Sequence, residues 1–236
     1  MMASPQIRIS VVIPTLNEEG SIGQTLDQVE RSQDLEILVI DGLSTDRTRE
    51  IALEKGGCVV EEKRKGYGRA YKTGFKEARG DIIATLDGDT TYPAEMIPEL
   101  VRILEKDGLD FISCDRIRKA EKGAFSRTHA LGNWILKTAM NVLFGTCLKD
   151  SQSGMWVFRK SALTSVHLTS DGMPLSEEIK IEMFKNGTLK CREISVPYRV
   201  RTGEKKLATW KDGWRNLKFL FKKRIAPGSL GPAEEF

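Results

Sequence analysis

The chain has 236 residues, 40% of them hydrophobic and 30% charged, with a formal net charge of +4. That length suits one α/β domain with a substantial core, and the charge is too small to argue for a nucleic-acid partner. The four cysteines, Cys58, Cys114, Cys147 and Cys191, lie too far apart for a zinc knuckle or a redox pair.

The apolar runs fall in an alternating order. Ile7–Ile13 reads as a first buried strand stopped by Pro14, and Ser21 or Asn17 is placed to cap a helix running to about Ser32. Leu35–Ile40 is a second strand, and Ser44 caps a helix from Thr45 to about Lys55. Cys58–Glu61 is a short third strand, Arg69–Ala78 a helix closed by Gly80, and Asp81–Leu86 a fourth strand. The second half begins with a helix from Pro93 to about Lys106 and a strand at Leu109–Cys114. A long helix at Ser126–Phe144, a strand at Gly154–Phe158 and a helix at Ser176–Lys185 follow. An edge strand at Leu189–Val196 and a basic helix at Lys206–Lys223 complete it.

Strands alternating with helices predict a mainly parallel sheet, which binds ligands beyond the carboxyl ends of its strands. Four segments should therefore gather on one edge: Pro14–Glu18, Asp41-Gly42, the Lys63–Gly68 loop and Asp87–Asp89. The first of these has no Gly-x-Gly-x-x-Gly, and no Gly-x-x-x-x-Gly-Lys-Ser/Thr loop exists, which sets aside hydride transfer on a dinucleotide and P-loop chemistry.

Asp87 and Asp89 flank one glycine at the end of an apolar strand. Residues two apart share a strand face, so both carboxylates can aim at one point, and Gly88 lets a ligand come close. Two hard oxygen ligands suit Mg²⁺ or Mn²⁺ held jointly with substrate phosphates. The same Asp-Gly pair also serves as an ordinary turn. Glu18 and Asp41 can accept hydrogen bonds from a base or ribose, or can act as a solvated charge and a capping carboxylate.

These residues stand in an order similar to that of glycosyltransferase family 2, inverting enzymes with the GT-A fold. The resemblance runs through Pro14-Thr15-Leu16-Asn17-Glu18-Glu19, Ile40-Asp41-Gly42-Leu43-Ser44-Thr45-Asp46, Gly66-Tyr67-Gly68 and Leu86-Asp87-Gly88-Asp89. Asp150-Ser151-Gln152-Ser153-Gly154-Met155 resembles a segment of dolichyl-phosphate mannose synthases and related polyprenyl-phosphate hexosyltransferases. So does Val200-Arg201-Thr202-Gly203-Glu204-Lys205-Lys206-Leu207.

The resemblance implies a Rossmann-like GT-A sheet and a donor site made by Pro14, Leu16, Glu18, Asp41, Lys65, Gly66, Asp87 and Gly88. It implies that Asp87 and Asp89 meet a Mg²⁺ or Mn²⁺ ion, that Asp89, Arg127 and Arg201 are catalytic, and that Arg116, Arg127, Arg201 and Lys205 hold an acceptor phosphate. Two departures stand out. Asp-Gly-Asp-Thr-Thr replaces the usual Asp-Ala-Asp with a following Gln ligand, and Lys205 replaces a Ser.

Chemistry favours a phosphate acceptor. A hydroxyl needs a general base, whereas a phosphomonoester is already anionic and needs cations to place it. Cations abound in the second half of the chain, whereas His129 and His167 are isolated and read as structural or solvated. The C-terminal helix puts Leu207, Trp210, Trp214, Leu217 and Phe221 on one stripe among lysines, the pattern of an interfacial helix on anionic lipid or of a helix packed on its own domain.

The expected protein is thus a single domain over residues 1–226 with a flexible tail at 227–236, built without a signal peptide and acting peripherally on the cytoplasmic face of a membrane. It would transfer a hexose or N-acetylhexosamine from a nucleoside diphosphate sugar to dolichyl or polyprenyl phosphate, with room for a separate membrane subunit. Two other readings stand beside it: transfer to a sugar hydroxyl with Glu177 or Glu178 as base, and a non-catalytic nucleotide-sugar-binding protein that docks on membranes.

Overall fold

The computed structural model describes residues 6–201 and 209–226. Its strands are β1 (Ile9–Thr15), β2 (Leu35–Asp41), β3 (Cys58–Glu61), β4 (Ile82–Thr85), β5 (Phe111–Ala120), β6 (Trp156–Arg159) and β7 (Cys191–Tyr198). They form one sheet in the order β3-β2-β1-β4-β6-β5-β7. β3, β2, β1 and β4 run parallel, β6 is antiparallel to both neighbours, and β7 lies on the edge parallel to β5.

The helices are α1 (Ile22–Asp27), α2 (Thr48–Glu54), α3 (Tyr67–Glu77), α4 (Ile97–Lys106), α5 (Arg127–Phe144), α6 (Leu175–Lys185) and α7 (Thr209–Ile225). Strand alternation divides the core. Val11 and Ile13 join Leu26, Leu100 and Leu104 on one face of the sheet, while Val12 and Ile40 join Phe75, Leu175 and Ile179 on the other. A smaller cluster of Met140, Leu148, Ile181 and Leu220 ties α5 and α7 to α6.

Three boundaries differ from the sequence expectation for identifiable reasons. β1 runs through Pro14 to Thr15. Thr15 accepts from Gly42 on the β2 side and Val12 accepts from Leu86 on the β4 side, so Pro14 faces β4 beyond the last pair, Val12 with Thr85. Its missing N–H therefore removes no ladder bond. α3 ends at Glu77 with Ala78 as its cap, and Gly80 is not the cap: its amide donates to Ser10 Oγ at 2.9 Å, laying the chain against β1. β5 continues to Ala120 because its outer half pairs with β7 after a register shift between Asp115 and Lys119. Arg116 sits in that irregularity, a place where strands commonly re-aim a side chain.

Candidate active site

The loops leaving the carboxyl ends of β1, β2 and β4 each hold one non-glycine residue at positive φ: Asn17 at 52°, Leu43 at 66° and Thr90 at 66°. Such backbone persists where the surroundings over-determine it. Here Asn17 Oδ1 accepts from the Thr45 amide at 2.8 Å, and Ser21 Oγ donates to the Gly88 carbonyl at 2.8 Å, so the three loops brace one another.

On this edge stand Asp87 and Asp89. Asp89 Oδ1 accepts from the Thr91 amide at 3.2 Å and the Thr91 hydroxyl at 2.6 Å, and Oδ2 lies 2.9 Å from Arg201 Nη1. Thr91, the second of the two threonines that replace the expected pattern, thus orients the carboxylate. Asp87 Oδ1 accepts from Tyr67 at 3.1 Å and Tyr71 at 3.3 Å. Burial, and then the charge of Asp89, push the Asp87 carboxyl well above the usual carboxylate range. Two hard carboxylates that disfavour each other's charge fit a divalent cation sharing its remaining positions with phosphate and water. Among the described residues no cluster of three or more His, Cys, Asp or Glu forms a self-sufficient metal site.

Arginine supplies the positive side. Arg201 Nη2 lies 2.8 Å from Glu18 Oε1 while Nη1 holds Asp89, and its buried Nε has no partner. Arg116 grips the fully buried Asp150 through Nε at 2.7 Å and Nη2 at 2.9 Å, leaving Nη1 outside that pair. Its guanidinium stacks on Tyr198 and Phe125 at 5.2 and 5.6 Å from the ring centres. Arg116 holds the Asp150 carboxyl far below its ordinary range against the cost of burial.

These groups face a cavity of about 200 Å³. Asp87, Asp89, Thr91, Arg116 and Arg201 line one part of it, and α5 lines another through His129, Gly132, Asn133 and Leu136. That spacing of three and four residues is one helical face. Gln152, Tyr67, Phe125 and Tyr198 and, on α7, Asp212 and Gly213 also line the wall. Gln152 links the wall to the interior: its Nε2 donates to Glu177 at 2.6 Å and its Oε1 accepts from Asn216 of α7 at 2.8 Å.

The expected site residues divide into two groups. Glu18, Asp87, Asp89, Arg116 and Arg201 converge on the cavity or on its ion pairs. Gly88 is buried beneath them, with Thr15 close against it. Asp41 has no exposed surface, and its Oδ2 accepts from the Ser44 amide at 2.8 Å, which closes the turn after β2; it does not cap α2, which begins at Thr48. Pro14 is half-buried, and Leu16, Lys65 and Gly66 are exposed on the same edge without lining the cavity. Arg127 is exposed on the first turn of α5, and His129, expected to be structural or solvated, is half-buried and lines the cavity. Lys205 lies outside the described residues.

The two glutamates considered as bases are unsuited to that role. Glu178 is fully buried and accepts from Thr169, Ser170 and Lys223. Glu177 is fully buried behind Gln152, with its carboxyl pushed up to about 8 by desolvation. A place in the first turn of α6, where exposed acidic residues are ordinary, gave no hint of either burial.

A carboxylate pair at the carboxyl edge of a mostly parallel sheet, with one antiparallel strand and a cavity closed by later helices, defines a GT-A α/β protein. The fold is similar to that of glucosyl-3-phosphoglycerate synthase from Mycobacterium tuberculosis, solved with Mn²⁺, UDP and glucosyl-3-phosphoglycerate. The TM-score is 0.75 at 24% identity, over 92% of this chain and 80% of that one.

Residues 10–166 match the family model for glycosyl transferase family 2, and the chain belongs to that family. It is 37% identical over 234 residues to the low-salt glycan biosynthesis hexosyltransferase Agl6 of Haloferax volcanii, covering 97% of this chain and 56% of the relative. It is 34% identical over 207 residues to the dolichyl-phosphate hexose transferase of the same organism, covering 87% of this chain and 89% of that one. The chain therefore spans little more than half of the first relative and most of the second.

Proposed function

We propose that the protein transfers a hexose or N-acetylhexosamine, with inversion, from a nucleoside diphosphate sugar to a polyprenyl or dolichyl phosphate. The observation that carries this reading is the composition of the cavity wall: Asp87 and Asp89 stand with Arg116 and Arg201 at the sheet edge, and the one further carboxylate lining it among the described residues, Asp212 on α7, lies 3.5 Å from Arg215. The anionic acceptor needs no base, only cations that hold it.

Asp87 and Asp89 would hold Mg²⁺ or Mn²⁺, which when bound neutralises charge on the leaving diphosphate. An acceptor phosphate oxygen forms the new bond to the anomeric carbon as the bond from that carbon to the diphosphate oxygen breaks, and the nucleoside diphosphate leaves with the electron pair. Arg201 and the unpaired Nη1 of Arg116 bind and orient the acceptor phosphate. Glu18 and the Asp41 turn shape the side where the nucleoside would lie. The neighbouring glucosyl-3-phosphoglycerate synthase was solved with Mn²⁺ and UDP, and the second relative is by name a dolichyl-phosphate hexose transferase, both in accord with this reading.

A membrane surface fits the acceptor. Leu131, Trp134 and Val142 of α5 and Trp214, Phe221 and Ile225 of α7 are exposed, beside the exposed Lys211, Arg215, Lys218 and Lys222. α7 packs inward through a different face, Asn216, Leu220 and Lys223, so the aromatic residues of the expected stripe that can be seen stay outside the core. Among the described residues no helix is long and apolar enough to cross a membrane. Peripheral attachment through these two helices would bring the cavity they line to the lipid phosphate.

The test is a radiolabel assay with GDP-mannose and UDP-linked glucose or N-acetylglucosamine, offering polyprenyl phosphate against free sugars, with and without Mn²⁺. Metal-dependent label in the lipid fraction alone is expected. Label on free sugars would select the hydroxyl-acceptor reading, and donor binding without transfer or hydrolysis the non-catalytic one.

A further inference from the structure

We propose that Tyr67 is the positioning residue of the cation site, its hydroxyl fixing Asp87 Oδ1 so that Oδ2 is the oxygen presented to a divalent cation. The inference rests on the reading of Asp87 and Asp89 as cation ligands.

Both hydrogen bonds to Asp87 fall on Oδ1, from Tyr67 at 3.1 Å and Tyr71 at 3.3 Å. A tyrosine hydroxyl has one proton to donate. Tyr71 divides its proton between Asp87 and the Gly154 carbonyl at 3.2 Å, whereas the bond Tyr67 donates goes to Asp87. The rings meet edge to face at 4.9 Å, which fixes one hydroxyl relative to the other.

Two features prepare this contact. A Cβ on Gly154 would lie 2.2 Å from the Tyr67 oxygen and 3.3 Å from Asp87 Oδ1, so only glycine leaves the hydroxyl its place. Tyr67 opens α3, and that end is clamped. Gly66 precedes it at φ +144°, where a Cβ would fall 2.0 Å from the Asp171 carbonyl oxygen. The Arg69 amide donates to the same oxygen at 3.0 Å, and the Asp171 carboxylate takes Arg69 at 2.7 Å and Lys72 at 2.6 Å. The tyrosine thus stands on a fixed helix end, aimed at a carboxylate that also faces the cavity. Hydrogen-bonded partners of metal ligands commonly matter to affinity by an order of magnitude or more.

The experiment measures Mn²⁺ binding to the full chain by electron paramagnetic resonance, alone and with UDP or GDP, for the wild type, Tyr67→Phe and Gly154→Ala. Tyr67→Phe is expected to weaken Mn²⁺ about tenfold, with an unchanged melting temperature and a kcat that recovers at saturating Mn²⁺. Gly154→Ala is expected to cause the same loss by displacing the hydroxyl. If that variant does not fold, Tyr67→Phe decides the matter alone. Mn²⁺ affinity of Tyr67→Phe within twofold of the wild type overturns the positioning role while leaving the carboxylate site standing. Absence of Mn²⁺ binding by the wild type with either nucleotide overturns the carboxylate site, and the inference with it.

Discussion

Arg201 and Asp89 form an ion pair of 2.9 Å across the candidate site, and the second guanidinium nitrogen of Arg201 reaches Glu18 at 2.8 Å. One side chain from the segment after β7 therefore joins the loop after β1 to the turn after β4. The guanidinium offsets negative charge where two aspartates and a glutamate converge. A divalent cation held by Asp87 and Asp89 would compete with Arg201 for the Asp89 carboxylate. Its binding would then be linked to release of Arg201 toward an incoming phosphate.

From that competition, Arg201→Ala is expected to tighten Mn²⁺ by about threefold to tenfold, because a charge of the same sign is removed a few ångströms away. The same variant should raise the KM for polyprenyl phosphate at least tenfold through loss of a charge-assisted clamp. Isothermal titration with Mn²⁺ and steady-state kinetics check the two halves. Weaker Mn²⁺ binding would count against the competition.

Asp89 itself is tested by Asp89→Ala. Transfer should fall at least about 100-fold, the scale of losing one charge-stabilising contact in a transition state. The fold should survive, since the deleted carboxylate holds only Thr91 and Arg201 nearby. Circular dichroism and a radiolabel assay run together check this. Near-normal metal-dependent turnover would show that the cation sits elsewhere.

Much of this site could be read from the sequence, because chain order fixes it. Alternating strands and helices place Glu18, Asp41 and Asp87 at strand ends, and a parallel sheet carries those ends to one edge. Cys58–Glu61 was bounded as the structure has it, since glycines precede it and charges follow. What stayed hidden depends on rotation and tertiary pairing. On α5, apolar residues surround the helix, so the sequence did not say whether Arg127 or His129 would face inward. Arg116 was legible as a cation but not as the partner of Asp150, 34 residues away. Tyr67 read as a loop residue between two glycines, and only the fold brings it to Asp87.

The buried pair Arg116–Asp150 yields a stability test. Asp150 is fully buried, and Lys180 Nζ also donates to its carbonyl at 2.9 Å. Asp150→Ala removes one partner and leaves a buried guanidinium uncompensated, which typically costs about 3–5 kcal/mol. Arg116→Met, which removes the other charge, should strand the carboxylate similarly. The double variant should be less destabilised than the sum of the two. Urea unfolding of all three completes the cycle. Additivity would mean that the two groups act independently.

Glu177 gives a pH dependence of defined sign. Desolvation raises its carboxyl to about 8 from an ordinary 4.5, against the lowering effects of Gln152 and Lys180. Between those values the unfolded chain has released the proton and the folded chain retains it, so stability falls as pH rises from about 4.5 to 8. Lys180 is lowered to about 8 by burial, and its own titration lies above that window. Glu177→Gln keeps the oxygen that Gln152 contacts and removes the titration. It should match the wild type near pH 5 and be more stable by about 2–4 kcal/mol at pH 8. Thermal melts at unit steps from pH 5 to 8 check this, and parallel curves for the two proteins would contradict it.

The outward faces of α5 and α7 give the last test. Trp214 is 69% exposed and Trp134 57%, with Phe221 and Val142 beside them, and neither helix buries these residues in the sheet's core. Their replacement should therefore leave the fold unchanged while removing apolar area from the lipid contact. Trp214→Ser with Phe221→Ser is expected to lower binding to vesicles of mixed neutral and anionic lipid at least tenfold. Each large side chain contributes about 1.5–3 kcal/mol when removed from water. Lys218→Glu with Lys222→Glu should lower binding to the anionic vesicles and spare neutral ones, because each cation near a charged surface contributes about 1 kcal/mol. Co-sedimentation at low and high salt separates the two contributions. Turnover of a short, water-soluble polyprenyl phosphate should persist in both double variants. If it fell in step with vesicle binding, these faces would serve the cavity itself and not a membrane surface.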